Sequence, residues 1–387
     1  MTAHTDRTRV VVLGGGYAGT TAANHLRVRD DLDITLVNPR PEFVERIRLH
    51  QLVAGTAGAT QEFGTLLGEG IELVVAGAER IDTAARRVHL STGAGLDYDY
   101  LVYAVGSTGA LPDAMAAAYP IAEFEQAGRL RAALAELPAD APVTVVGGGL
   151  TGIETASELA EQGRTVTLVT GGELAPSLSE RGRRSIAKVL RGLGVTVLDT
   201  VVREVREGSV VLGDGVRPSA VTVWTAGFGV PDLATRSGLG TDGLGRLLTD
   251  ETLTSVDDDR IVAAGDAAAP SGVPLRMSCQ AAGPLGMQAA NTVLSRVAGT
   301  EPAALDQAFV GSCVSLGRRA GVVQLARRDD SPRDVIVGGR LGARLKELVC
   351  RGTVWGLRRE AAKPGATPWL KGGRRAPRVP GPATMVP

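Results

Sequence analysis

This sequence has little aromatic, thiol or imidazole chemistry. Phe, Trp and Tyr make up 3% of its 387 residues, with 3 cysteines and 4 histidines. Cys279, Cys313 and Cys350 form no C-x-x-C pair, which argues against a disulfide framework, a zinc site or an iron–sulfur site in a cytoplasmic protein. His4, His25, His50 and His89 are dispersed, so no metal centre is expected. No apolar run approaches the roughly 20 residues that span a bilayer, and the polar start, residues 1–9, lacks a signal-peptide core. With few aromatics, none interleaved with basic residues, nucleic acid is a poor partner. The remainder, 44% hydrophobic and 22% charged, suits a globular chain of two or three domains.

The net charge is zero, but it is polarised. Residues 311–387 carry 16 Lys and Arg against 5 Asp and Glu, leaving 26 against 37 in the first 310. Such asymmetry turns a basic terminal region toward an anionic partner, for which a membrane surface is a better candidate than nucleic acid.

Glycine is abundant, and it is placed with a pattern. Val10-Val11-Val12-Leu13 leads into Gly14-Gly15-Gly16-Tyr17-Ala18-Gly19, and Val143-Thr144-Val145-Val146 leads into Gly147-Gly148-Gly149-Leu150-Thr151-Gly152. Both fit G-x-G-x-x-G between a β-like and a helix-like run. The first glycine permits a tight turn and the second a close approach to a pyrophosphate. The third lets helix and sheet pack, and the helix N-terminus offers unpaired N–H groups. Two such loops in one chain predict two dinucleotides and electron transfer between them. The helices are expected over 17–26, packed through Ala22, Ala23 and Leu26, and over 151–162; the following strands over 34–37 and 165–169.

The residue closing each second strand reads the adenosine ribose, normally with a carboxylate. Here the positions hold Asn38 and Thr170. Asn38 retains hydrogen-bonding capacity, and Arg40 is placed to face a phosphate or stack on adenine. Beyond Thr170, Glu173 would suit a 2′-hydroxyl, whereas Arg181, Arg183 and Arg184 would suit a 2′-phosphate. The choice between NADH and NADPH stays open, with a lean to NADH.

The repeat extends past the loops. Leu101-Val102-Tyr103-Ala104-Val105-Gly106 closes the first unit as Val221-Thr222-Val223-Trp224-Thr225-Ala226-Gly227 closes the second, a duplicated architecture. A third apolar strand, residues 260–264, delivers Gly265-Asp266, where the aspartate serves a ligand polyol or caps the next helix. That helix is expected over 276–297. Leu341, Leu345, Leu348, Val349 and Trp355 fall near helical spacing among Arg340, Arg344, Lys346 and Arg351, a stripe that either caps the protein's own core or lies on lipid. Gly352 is expected to break this helix, and the Pro/Gly/Arg-rich residues 363–387 to be disordered.

In this order, over about residues 9–298, the segments resemble the two-dinucleotide-binding-domain flavoproteins related to the pyridine nucleotide-disulfide oxidoreductases. The likeness is greatest to type II NADH dehydrogenases and apoptosis-inducing-factor-like quinone reductases. It implies an α/β fold of two Rossmann-like three-layer domains, the second inserted into the first, with a C-terminal α+β region. The expected FAD-binding domain is 1–111 with 231–300, the NAD(P)H-binding domain 112–230, and the interface or membrane-surface region 301–362.

The resemblance places Gly14, Gly15, Gly16, Tyr17, Ala18 and Gly19 at the FAD pyrophosphate, with Asn38 and Arg40 near its adenosine. Arg46, Ala104 and Gly106 would adjoin the cofactor, and Gly265-Asp266 its ribityl chain. Gly147, Gly149, Leu150, Thr151 and Gly152 would hold the nicotinamide nucleotide, with Thr170, Ala226 and Gly227 nearby. Glu154 matches a glutamate near the flavin–nicotinamide contact, or is a first-turn carboxylate favoured by the helix dipole. Gln280 fits a quinone-site motif whose second glutamine is missing, and equally fits a polar helix start. The Cys-x₄-Cys dithiol of the disulfide reductases is absent, since no cysteine precedes Cys279.

The expected walls of the acceptor site are residues 43–51 and 277–284. The leading expectation is hydride transfer from NAD(P)H to FAD, then electron transfer to a quinone. The alternatives are a reductase of a soluble carrier such as ferredoxin and a flavin-binding redox sensor. A homodimer and a cytoplasmic location, peripheral on the inner face of the cell membrane, complete the expectations.

Overall fold

A computed structural model of the chain describes residues 7–372. Its first sheet is wholly parallel, in the order Ile261–Ala263, Tyr100–Tyr103, Thr8–Leu13, Leu32–Asn38, Ile71–Val75. Both faces of a parallel sheet are covered, so its central strand is a continuous apolar run: Val10, Val11, Val12 and Leu13 are all buried. The helix Tyr17–Leu26 has the bounds its sequence implied and buries Ala22, Ala23 and Leu26 completely.

The second sheet repeats the plan, ordered Tyr119–Pro120, Val221–Trp224, Val143–Val146, Val166–Val169, Thr196–Leu198. Strand Ile261–Ala263 lies after this whole unit in sequence yet pairs with Tyr100–Tyr103, so the second unit is inserted into the first. The two connecting segments meet as antiparallel strands Thr108–Gly109 and Phe228–Gly229. Each unit also carries a three-stranded antiparallel sheet, Ala78–Asp82 to Gly95–Asp97 and Val202–Arg206 to Gly215–Pro218.

The C-terminal region is a three-stranded antiparallel sheet, Gly311–Leu316, Ala320–Ala326 and Pro332–Gly338, followed by the helix Gly339–Ala362. Three expectations need correction here. Gly352 does not break the helix. Glycine costs a helix interior about 1 kcal/mol, and the turns either side are anchored by buried Cys350 and Val354. Of the two roles left open for the apolar stripe, the cap on the protein's own core is the one the structure corrects. Leu341, Leu348 and Trp355 are 57%, 65% and 59% exposed, and the packed face is Gly342, Lys346, Cys350, Val354, Leu357 and Glu360.

The third correction concerns the tail, whose first ten residues are ordered. Glu360 accepts from the backbone N–H groups of Gly365 and Thr367 at 2.6 and 3.0 Å and pairs with His25 at 2.7 Å. Asp306 accepts from Trp369 Nε1 and Gly372 N at 3.0 and 2.8 Å. Composition marks the segment as unable to make its own core, but it does not need one when the Glu360 and Asp306 carboxylates and the Asp306 carbonyl take its N–H groups. The remainder of the expected disorder, residues 373–387, lies outside the described residues. The helix after Gly265-Asp266 also starts later than expected, at Cys279, because Ser278 caps it by accepting from Ala281 N at 3.2 Å.

Candidate active site

A cleft of about 400 Å³ runs between the two glycine loops. Gly16, Tyr17 and Ala18 line it from the first loop, and Leu150 and Thr151 from the second. Gly106, Ala226 and Gly227 reach it from the strand ends. Residues from the two segments expected to wall an acceptor site also line this cleft: Arg46, Ile47, Leu49 and His50 from one, and Met277, Ser278, Cys279 and Gln280 from the other.

The loops fit dinucleotides on local geometry. A Cβ on Gly14 would sit 2.4 Å from Ala104 O, and one on Gly147 2.4 Å from Thr225 Oγ1, so these glycines are required by packing. Gly16 and Gly149 have ordinary extended backbone (φ −76° and −75°), and a Cβ on either would meet nothing within 4 Å. Both cap their helices without a side-chain hydrogen bond, leaving first-turn N–H groups for an anion. Two anion cradles therefore face one cleft, where Ser107 Oγ donates to Asp266 at 2.7 Å. Arg46 Nη1 donates to the Ser107 carbonyl at 2.5 Å and its Nε to that of Ala122 at 3.1 Å.

Other expected residues have visible local partners. Asn38 braces the first loop: its Oδ1 accepts from Gly15 N at 2.9 Å and its Nδ2 donates to Arg40 O at 2.7 Å. Arg40 is held by Glu125 at 2.5 Å, with Glu123 at 3.7 Å. Arg183 pairs with Glu173 at 3.0 Å and Arg184 with Glu180 at 2.6 Å. Gln280 reaches the cleft, and its amide fits between Gly311 O at 3.1 Å and Val310 N at 3.3 Å, bracketing the start of the C-terminal sheet.

Glu154 is the centre of a buried cluster that joins three parts of the chain. Its Oε1 accepts from Lys346 Nζ at 3.1 Å, Ser315 N at 3.0 Å and Ser315 Oγ at 3.2 Å. His50 brings Nδ1 to 3.7 Å from Oε2 and Nε2 to 3.2 Å from Ser315 Oγ. Burial pushes the carboxyl up, but Lys346, His50 and the Ser315 N–H together hold it below the ordinary range. Burial opposes the charge on Lys346, yet Glu154 and the nearby thiols of Cys313 and Cys350 raise it well above its usual value. Burial drives His50 down to about 4 in spite of the carboxylate. At neutral pH the cluster is thus a carboxylate–ammonium pair beside a neutral imidazole.

Sequence reasoning singled out Glu154 and missed Lys346, Ser315 and His50 as its partners. A signal for Lys346 was present. It shares a helical face with Gly342, Cys350, Val354 and Leu357, opposite the apolar stripe, which fits a buried lysine. Ser315 had none, because it comes to the cluster only through sheet pairing with Gly321. Cys279 and Cys313 both line the cleft, and burial pushes both thiols up.

Two dinucleotide cradles opening on one cleft define a nucleotide-dependent oxidoreductase. The comparisons agree. The family described as pyridine nucleotide-disulphide oxidoreductase matches residues 8–291, and the chain belongs to it. An NADH dehydrogenase-like protein of Mycobacterium tuberculosis is 34% identical over 325 residues, covering 74% of this chain and 80% of the relative. A type II NADH:quinone oxidoreductase of Staphylococcus haemolyticus is 26% identical over 388 residues, covering 89% and 94%. Among solved structures, the sulfide:quinone oxidoreductase of Aquifex aeolicus has a TM-score of 0.79 at 20% identity, covering 92% of this chain and 93% of its own. The NDH2 of Plasmodium falciparum has 0.77 at 15%, covering 94% and 100%. These likenesses give the fold. The protein is an oxidoreductase that uses FAD and NAD(P)H.

Proposed function

We propose that the protein is an NAD(P)H:quinone oxidoreductase that works on an anionic membrane surface. One observation carries this reading: the cleft opens under an apolar lip. Val310, Leu325 and Val349 line it and are 52%, 38% and 43% exposed. Val349 stands next to Leu348, on the exposed ridge Leu341–Leu348–Trp355. Large apolar side chains in such a row are placed where something other than water meets them. Arg340 and Arg344 flank the ridge and make no ion pair among the described residues, which suits anionic lipid headgroups. No helix among the described residues is long and apolar enough to cross a membrane, so attachment would be peripheral.

FAD, when bound, would supply a ring able to accept hydride from the nicotinamide. The chain's own contribution is to hold the two nucleotides face to face, exclude water, and keep a protonated Lys346 at the acceptor end. Quinone reduction consumes protons, and Lys346 Nζ, paired to Glu154, stands in the cleft to supply one. Gln280 shapes the wall beside it. The same outlet and basic face would also serve a soluble acidic carrier. The fold of a putidaredoxin reductase bound to putidaredoxin is similar, with a TM-score of 0.67 at 23% identity, covering 82% of each chain.

The ridge gives a direct test of the surface. Burying each of Leu341, Leu348 and Trp355 in lipid is worth about 1.5–3 kcal/mol, so changing all three to serine should lower partition onto phosphatidylserine-containing vesicles at least ~100-fold. Co-sedimentation measures this, and binding unaltered by the triple change sinks the surface reading.

A further inference from the structure

The second unit lacks an acidic residue where its ribose reader should stand, and the structure brings one from the neighbouring strand. Strands Val166–Val169 and Thr196–Leu198 pair in register Val169↔Leu198, so Thr170 and Asp199 leave the sheet side by side. Thr170 Oγ1 and Asp199 Oδ1 are 3.4 Å apart. Thr170 also underlies the glycine loop, since a Cβ on Gly148 would lie 2.9 Å from its Cβ. Its single hydroxyl proton has a taker in the Gly172 carbonyl at 2.6 Å. Glu173 is bound by Arg183. Asp199 is exposed and makes no ion pair among the described residues.

The first unit is an internal control. Gly14 N donates to Val37 O as Gly147 N donates to Val169 O, which makes Asn38 the counterpart of Thr170. Register Val37↔Val74 then makes Val75 the counterpart of Asp199. Two units of the same plan thus differ at this position, apolar in one and acidic in the other. We infer that Asp199 sets the choice of nicotinamide donor, accepting from the adenosine ribose of NADH and repelling the 2′-phosphate of NADPH. A carboxylate at the adenosine end is the usual reader of the ribose hydroxyls, and a phosphate monoester adds nearly two negative charges beside it. Of the arginines that follow Thr170 in sequence, Arg183 and Arg184 are already paired, which leaves Arg181 to be tested.

The test compares kcat/KM for NADH and NADPH with a dye acceptor, so that it stands apart from the identity of the physiological acceptor. The unaltered protein should favour NADH at least about tenfold. Asp199→Ser should shrink that ratio about tenfold or more, by lowering KM for NADPH and raising KM for NADH, and Asp199→Asn should shift both KM values in the same directions. A ratio within twofold of the starting value in both variants overturns the assignment. A second readout needs no variant: 5′-ADP should compete with NADH more tightly than 2′,5′-ADP. Tighter binding of 2′,5′-ADP, lost in Arg181→Ala, would place a phosphate reader there instead and overturn it as well.

Discussion

Lys346→Met should leave the flavin readily bleached by NADH but slow its re-oxidation by a short-chain quinone roughly 100-fold or more, the scale of a lost general acid. Ferricyanide, which takes electrons without protons, should re-oxidise the variant at the normal rate. The split follows from geometry: Lys346 touches Glu154 in the cleft and is not part of either glycine loop. The substitution also leaves Glu154 buried without its cation, at a cost of about 3–5 kcal/mol, so thermal stability should fall too. Lys346→Met with Glu154→Gln removes both charges and should recover much of that stability without recovering quinone turnover. Equal loss with quinone and ferricyanide would mean that the cluster supports the fold and not the proton.

Gly16→Val and Gly149→Val should separate the two nucleotide sites. The backbone at both positions is acceptable to any residue, and a Cβ at either meets nothing within 4 Å among the described residues, so both variants should fold. A branched side chain at Gly16 should release the flavin and give a colourless protein. At Gly149 the flavin should stay, with KM for the nicotinamide raised roughly 10- to 100-fold, corresponding to overpacking of about 1–3 kcal/mol. Gly19→Ala is a useful contrast, because its Cβ would lie 1.8 Å from Gly14 O and must distort the loop itself. Absorbance and steady-state kinetics on the purified variants decide the matter. If Gly16→Val keeps its colour, the first loop does not hold the flavin.

Much of this was legible in the sequence because it is local. A strand, three glycines and a helix carry their own geometry, and the bounds of Tyr17–Leu26 follow from that pattern. The repeat of two such units likewise predicts two parallel sheets. The C-terminal helix was legible in part: the break expected at Gly352 is absent, and the choice left open for the apolar stripe could not be made because its residues point outward while a lysine and a glutamate face in. Pattern reasoning assumes that apolar faces seek the protein core, and Gly339–Ala362 inverts that assumption by satisfying Lys346 and Glu360 with specific partners. The Glu154 cluster was legible only in part. Its members come from residues 50, 154, 315 and 346, and only tertiary packing brings them within reach.

We propose that electrons leave this cleft toward a quinone held in lipid. The most direct measurement mixes NADH-bleached enzyme with phosphatidylserine-containing vesicles that carry quinone, and follows the return of flavin colour. A rapid return is expected, and a slow one when Leu341, Leu348 and Trp355 are serine. Colour that returns with a soluble ferredoxin but not with quinone vesicles would contradict it.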